Sequence, residues 1–263
     1  VSLFHDIAEN FKDAAAFGFA FPLRHASALA GAKLFHATLR GAGRLVIRNG
    51  SSDVAVLRQV FREREYDLAR YPKVKAIVEE KYRRILSAGR IPLIIDGGAN
   101  IGATPIWFAT QFPQARILAV EPDPKNAQLC RANTRRHNNV QVIEAALGST
   151  PGVVTLSNPT NLGWAVQTIR GGSSANVRVC TIPEITAVER GNAELFIVKI
   201  DIEGFEEDLF KTNIEWIGEA KVIFVEVHDW MLPRRRTSRP LQRAMAEHDF
   251  EMLLLGENLV YIR

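Results

Sequence analysis

From residue 91 onward the apolar residues fall into short continuous runs, separated by longer stretches where they recur every three or four positions. The runs occupy residues 93–95, 116–120, 140–145, 195–200 and 221–227. Runs of this length without alternation suit strands covered on both faces. The stretches 104–112, 124–137 and 205–213 predict helices between most of them. Strands alternating with helices predict an α/β fold with a parallel sheet. The end of the chain breaks the rhythm. Two apolar runs, 250–255 and 259–262, are joined by Gly256-Glu257-Asn258. So short a link forces a hairpin, so the last strand is predicted to be antiparallel.

Five such runs and a hairpin predict a mostly parallel, seven-stranded sheet with a terminal antiparallel β-hairpin. That is the Rossmann-like arrangement of class I methyltransferases. A dinucleotide-binding dehydrogenase usually continues with another crossover. An insert at about 151–192 lies between the third and fourth parallel strands. It carries two more strand-like runs, 153–156 and 176–180, and loop-like stretches at 157–164 and 171–174. Upstream, 44–48 reads as a strand and 53–64 as a helix with Asp53 near its N-cap. Residues 1–40 read as helix, a candidate membrane-surface or homodimer contact. Pro22, Arg24, His25 and Lys33 interrupt its apolar stretch, so it does not predict a membrane span. The chain thus divides into a helical N-terminal extension (1–43), a lead-in packing on the core (44–90) and a cofactor-binding domain (91–263).

The chemistry starts at Asp96-Gly97-Gly98-Ala99-Asn100-Ile101-Gly102, between the first parallel run and its helix. Glycines there let a ligand approach the backbone. The next run ends in Glu121, nineteen residues after Gly102. An acid at that place accepts hydrogen bonds from both hydroxyls of a ribose. The turn is not G-x-G-x-x-G, the pattern that seats a pyrophosphate on a helix N-terminus. S-adenosylmethionine has no phosphate, and needs only a turn for its amino-acid tail and an acid for its ribose. Asp96, Gly98, Asn100, Gly102 and Glu121 are therefore candidate cofactor-binding residues. Glu144, ending the third parallel run, is a candidate for the adenine, or else an exposed strand-end acid.

In an open α/β sheet the ligand lies beyond the carboxyl ends of the strands. The fourth run ends in Lys199-Ile200-Asp201-Ile202-Glu203-Gly204, the fifth in Glu226-Val227-His228. Alternation puts Asp201 with Glu203, and Glu226 with His228, toward one spot. Asp201, His228 and Glu203 are the candidate catalytic residues. His228, with a pKa nearest neutrality, is the first choice of general base. The same set also suits a divalent cation held by Asp201 and Glu226, with His228 as a further ligand. No metal is predicted. Trp230 and Arg234 follow at the mouth of the site, and Trp164 sits in the insert as part of a candidate lid; these are the candidate substrate-binding residues.

The charge is uneven. Residues 1–90 hold 16 Lys and Arg against 9 Asp and Glu, while the remainder holds 17 against 20. A basic front end suits an anionic partner, but a solvated helical surface is the simpler reading. Cys130 and Cys180 match no metal or disulfide spacing, which favours a reducing cytoplasm. The Asn/Asp-Pro-Pro-aromatic signature of nucleic-acid base methylation is absent at the fourth strand, so no nucleic-acid partner is expected.

The strings Ile95-Asp96-Gly97-Gly98-Ala99-Asn100-Ile101-Gly102, Val120-Glu121-Pro122-Asp123-Pro124, Lys199-Ile200-Asp201-Ile202-Glu203-Gly204-Phe205-Glu206 and Glu226-Val227-His228-Asp229-Trp230-Met231 together resemble the FkbM family of S-adenosylmethionine-dependent methyltransferases. Ala146-Leu147-Gly148 and the upstream Ile47 to Asp53 stretch add to the resemblance, which covers about residues 44–263. It implies O-methylation of a hydroxyl on a glycan, polyketide or related metabolite. It places Asp96, Gly98 and Gly102 by the methionine part, Glu121 by the ribose and Asp201 at the reacting end. Position 97 is glycine where the family more often has an apolar residue. Two rivals stand beside this reading. One is an NAD(P)-dependent oxidoreductase, for which Tyr71 and Lys75 have a suitable spacing but the wrong chain order. The other is a non-catalytic methyltransferase-like binding module.

Overall fold

The computed structural model describes residues 2–29, 31, 33–39, 41–157, 167–170, 176–189, 191–231 and 233–263. The chain opens with helices α1 (Ser2–Phe17) and α2 (Ala20–Leu29) and a hairpin of β1 (Leu34–Leu39) and β2 (Gly43–Arg48). The helix expected through residue 40 thus ends early. Phe35, Ala37 and Leu39 are buried at every second position, a period that a strand places on one face and a helix does not. The expected helix at 53–64 is α3 (Asp53–Leu57) running into a π turn, Arg58–Arg62. Arg58 and Arg62 both grip Asp13 of α1, at 2.6 and 2.9 Å, and Asp13 is buried. Part of the basic excess of the front half is therefore spent inside the fold. Phe11, Phe19 and Leu23 of this region remain exposed.

After α4 (Pro72–Ser87) the alternation begins: β3 (Ile91–Gly97), α5 (Ala103–Gln111), β4 (Arg116–Glu121), α6 (Pro124–Thr134) and β5 (Val140–Glu144). Asp123 starts α6 as its N-cap, accepting from the backbone N–H groups of Lys125 and Asn126. The insert forms its own four-stranded sheet from β6 (Ala146–Leu147), β7 (Gly152–Ser157), β8 (Gln167–Arg170) and β9 (Asn176–Cys180). Helix α7 (Ile182–Val188), opened by a capping box of Thr181 and Glu184, leads into β10 (Ala193–Ile200).

Helix α8 covers only Glu206–Leu209, shorter than the 205–213 expected. Asp208 accepts from Ser149 instead, and Asn213, at φ +55, donates to the Ser149 carbonyl at 2.7 Å. Those tertiary bonds displace the further helical turns. The chain finishes with β11 (Val222–Glu226), α9 (Arg239–Ala246) and the hairpin β12 (Glu251–Leu255) and β13 (Asn258–Ile262).

The main sheet runs in the order β12-β13-β11-β10-β3-β4-β5. Strands β11, β10, β3, β4 and β5 are parallel, and β13 is antiparallel to both its neighbours. This is the mostly parallel, seven-stranded Rossmann-like sheet with a terminal antiparallel hairpin predicted from the sequence. One face packs Ile94, Ile117 and Phe224 against Tyr66, Phe108 and α4. The other packs Ile95, Val198 and Val225 against Phe205, Trp216 and α9. With both faces covered, the sheet leaves its carboxyl edge for chemistry.

Candidate active site

The carboxyl edge presents its acids in the spatial order Glu144, Glu121, Asp96, Asp201 and Glu226, one for each parallel strand from β5 to β11. Glu121 is 4 % exposed and built into the turn beside it. Its Oε2 accepts from the Asn100 N–H at 2.8 Å, and its Oε1 from the Asp123 N–H at 2.9 Å and Asn126 Nδ2 at 3.3 Å. Burial pushes the carboxyl up to about 7 in spite of those donors. Asn126 is held in turn by Arg48 of β2, which also clasps Asp53. Asp53 therefore does not cap α3: its carboxylate is taken by the Arg48 N–H and guanidinium.

The glycines of the turn serve packing as much as ligand access. Gly98 has φ +78, and a Cβ there would sit 1.8 Å from the Asp201 carbonyl oxygen. The end of β10 thus occupies the space a side chain at 98 would need. Gly102, at φ +90, caps α5, and a Cβ on it would press on Cys130. Gly97 is not part of the turn. It is the last residue of β3, and a Cβ there would meet the end of the Leu147 side chain at 2.9 Å, the Lys199 carbonyl at 3.3 Å and the Ile202 side chain at 3.6 Å.

Beneath the turn lies Lys199, 1 % exposed. Its ammonium donates to the Gly97 and Gly98 carbonyls at 3.1 and 2.9 Å, and stands 3.1 Å from Asp96 and 3.5 Å from Asp201 Oδ2. Burial pushes Asp96 up, and burial would pull Lys199 down, but Asp96 and Asp201 outweigh it and keep the lysine charged. One buried cation thus ties the ends of β3 and β10 together.

Beyond it, His228 is 2 % exposed and ringed by acids. Nδ1 lies 2.9 Å from Glu206 Oε1, while Nε2 lies 3.5 Å from Glu226, 3.6 Å from Asp201 and 3.7 Å from Glu203. Burial disfavours the imidazolium, but Glu206, Glu226 and Asp201 overcome it and push the histidine up to about 11. The charges around it thus favour the imidazolium, whereas a general base needs the neutral ring. Burial and the Asp201 charge push Glu203 up to about 8. Glu203 arrives by another route than strand alternation: β10 stops at Ile200, and Glu203 sits in a turn at φ +55.

The family model described as the methyltransferase FkbM domain matches residues 96–262. The chain belongs to this family. It is 22% identical over 156 residues to the 2-O-methyltransferase NoeI of Sinorhizobium fredii, covering 52% of this chain and 64% of that protein. It is 27% identical over 110 residues to the methyltransferase sdnD of Sordaria araneosa, covering 41% of this chain and 36% of that protein. The chain therefore spans less than two thirds of either relative. Among solved structures, the precorrin-6y C5,15-methyltransferase of Geobacter metallireducens is similar at a TM-score of 0.38, with 14% identity, over 65% of this chain and 78% of that one.

In this FkbM-family chain the structure gathers Asp96, Gly98, Asn100, Gly102 and Glu121 on one side of the edge, and Asp201, Glu203, Glu226 and His228 on the other. Glu144 stands apart from both groups. It is 40 % exposed and paired with Arg131 at 3.0 Å, the strand-end role left open by the sequence. Trp230 and Arg234 are exposed just past His228. Trp164 lies outside the described residues. Lys199, Glu206 and Asn126 were not singled out from the sequence. Lys199 did carry a signal, as a lone charge in a strand otherwise reading as buried on both faces. Glu206 looked like an ordinary acid at a helix start, and Asn126 gave no sign. Tyr71, the oxidoreductase candidate, bonds the Leu254 carbonyl at 3.2 Å.

Proposed function

We propose that this chain is an S-adenosylmethionine-dependent O-methyltransferase acting on a hydroxyl of a glycan, polyketide or related metabolite. Family membership supports the reaction type, and the 2-O-methyltransferase name of one relative supports oxygen as the acceptor atom. One observation carries the reading. Along a single sheet edge, the buried Glu121 and the acid cluster of Asp201, Glu203 and Glu226 are separated by the Gly98 turn. That spacing sets a nucleoside-binding acid on one side and proton-accepting acids on the other.

The residues fit the donor. Glu121 keeps acceptor capacity for ribose hydroxyls beyond its backbone bonds. Asn100 Oδ1 and Asp96 Oδ2 are buried without a hydrogen bond, leaving acceptors for an ammonium or amide donor, while Asp96 Oδ1 faces Lys199. When bound, S-adenosylmethionine supplies an electrophilic methyl carbon: as the acceptor oxygen bonds to it the carbon–sulfur bond breaks, and its electron pair stays on sulfur. The chain's part is position and charge. Lys199 fixes the Gly98 turn against β10, so the two halves of the edge keep their separation. The acceptor's proton goes to a carboxylate of the cluster, of which Asp201, at 23 % exposed, is open to a substrate.

Calorimetry with S-adenosylhomocysteine and with NADP⁺ tests the reading. The homocysteine product analogue is expected to bind at one site per chain and to lose affinity at least about tenfold in Glu121→Ala. Binding of NADP⁺ without S-adenosylhomocysteine would discard it.

A further inference from the structure

We infer that Asp201, Glu203 and His228 form a binding site for a divalent cation of the Mn²⁺ type. Each offers one donor atom, and the three lie within 4.8 Å of one another. A shell at about 2.1–2.4 Å puts neighbouring donors roughly 3.0–3.4 Å apart and opposite ones roughly 4.2–4.8 Å apart. The observed Nε2-to-oxygen distances, 3.6 Å to Asp201 and 3.7 Å to Glu203, fall between those limits. They are too long for hydrogen bonds and suit donors that face a common ion.

The histidine is the observation that separates this from a mere acidic cluster. It is 2 % exposed, and its Nε2 is aimed between the carboxylates of Glu226, Asp201 and Glu203, at 3.5, 3.6 and 3.7 Å. Its other nitrogen is fixed at 2.9 Å by Glu206, itself 1 % exposed and anchored by the Ile202 and Gly204 N–H groups. A carboxylate that orients a histidine through Nδ1 and frees Nε2 is the usual support of a metal ligand. Glu203 Oε2 is buried without a hydrogen bond. Lys199 does not close the site, since it faces Asp201 Oδ2 and leaves Oδ1 toward His228. One nitrogen with carboxylate oxygens favours Mn²⁺ over the all-oxygen preference of Mg²⁺ and Ca²⁺.

The ligand set differs from the pair weighed from the sequence, Asp201 with Glu226, because Glu203 swings in on its turn. Glu226 stands beside the shell, 3.5 Å from Nε2. On the methyltransferase reading, and resting on it, a cation here acidifies a hydroxyl that it coordinates; with Asp201 and Glu203 engaged by the ion, the proton passes to Glu226 instead.

The test is a titration of the full, chelator-stripped chain with Mn²⁺, followed by electron paramagnetic resonance of the free ion. One saturable site per chain is expected, weakened at least about tenfold in Asp201→Asn and in Glu203→Gln. Glu203 is partly exposed, so its variant is expected to fold even if others do not. No saturable site below about 1 mM Mn²⁺, or unchanged affinity in both variants, overturns the inference. Calorimetry with S-adenosylhomocysteine on the same sample separates the two readings. S-adenosylhomocysteine binding without a Mn²⁺ site removes the cation alone; a Mn²⁺ site without S-adenosylhomocysteine binding removes the methyltransferase reading and leaves the cation.

Discussion

Replacing Gly98 by alanine is expected to damage the edge more than any other single-methyl addition in the turn. The new Cβ would lie 1.8 Å from the Asp201 carbonyl oxygen, where real contacts stay at 3.0 Å or more. The backbone at Asp201 or at residue 98 must therefore move by about 1.2 Å or more. Neither can yield by rotating a side chain, because a Cβ is fixed by its own backbone, the carbonyl oxygen belongs to main chain, and Lys199 clamps the Gly98 carbonyl at 2.9 Å. Alanine at φ +78 adds about 1–2 kcal/mol of left-handed strain, and forced overpacking adds about 1–3 kcal/mol. The sum, about 4 kcal/mol, corresponds to a fall in Tm of roughly 10 °C for a domain of this size. A displacement of this order at Asp201 is also expected to lower methyl transfer by about a hundredfold. Differential scanning fluorimetry and S-adenosylhomocysteine calorimetry on G98A read both effects. Gly97→Ala is the internal comparison, since the end of the Leu147 side chain can move aside and the Lys199 carbonyl, at 3.3 Å, needs to give only slightly. Equal Tm values for G98A and wild type, or a larger loss in G97A, would refute the close approach of β10 to the turn.

Lys199→Met leaves Asp96 buried without its cation, which is expected to cost about 3–5 kcal/mol; a urea-denaturation cycle with Asp96→Asn should recover at least half of that, and additive losses would deny the coupling. The affinity for S-adenosylhomocysteine is expected to depend on pH through Glu121. Burial raises this acid to about 7, ribose hydroxyls donate to its ionised form, and binding therefore lowers it. Affinity should be full above about pH 8 and weaken by up to about tenfold per unit below about pH 7; calorimetry showing a flat profile, or one of opposite slope, would exclude this role. Glu144→Gln breaks only a surface pair with Arg131, so S-adenosylhomocysteine affinity is expected to stay within about twofold. A tenfold loss would return Glu144 to the adenine.

The local pattern of the chain determined the strands, their direction and the edge at which chemistry occurs. Continuous apolar runs of strand length have one stable home, a parallel sheet covered on both faces, and a three-residue link admits only a hairpin. Glu121 and Asp201 were legible for the same reason, because acids that end such runs must reach the open edge. Local pattern misread the segments whose bonds are made far away in the chain. Residues 34–39 became a strand because β2 pairs with them, and α8 stopped short because Ser149 takes Asp208 and Asn213.

Only the tertiary structure decided what each polar group meets. Lys199 looked like an interruption of a buried strand, and the fold made it the tie between β3 and β10. His228 looked like a base, and the fold surrounded it with Glu206, Glu226, Asp201 and Glu203 from the ends of two strands, the turn after β10 and the start of α8. A histidine's affinity for a proton or a metal ion depends on the charges within a few ångströms. Those neighbours lie up to 27 positions away in the chain, so no reading of spacing along it could have summed their fields.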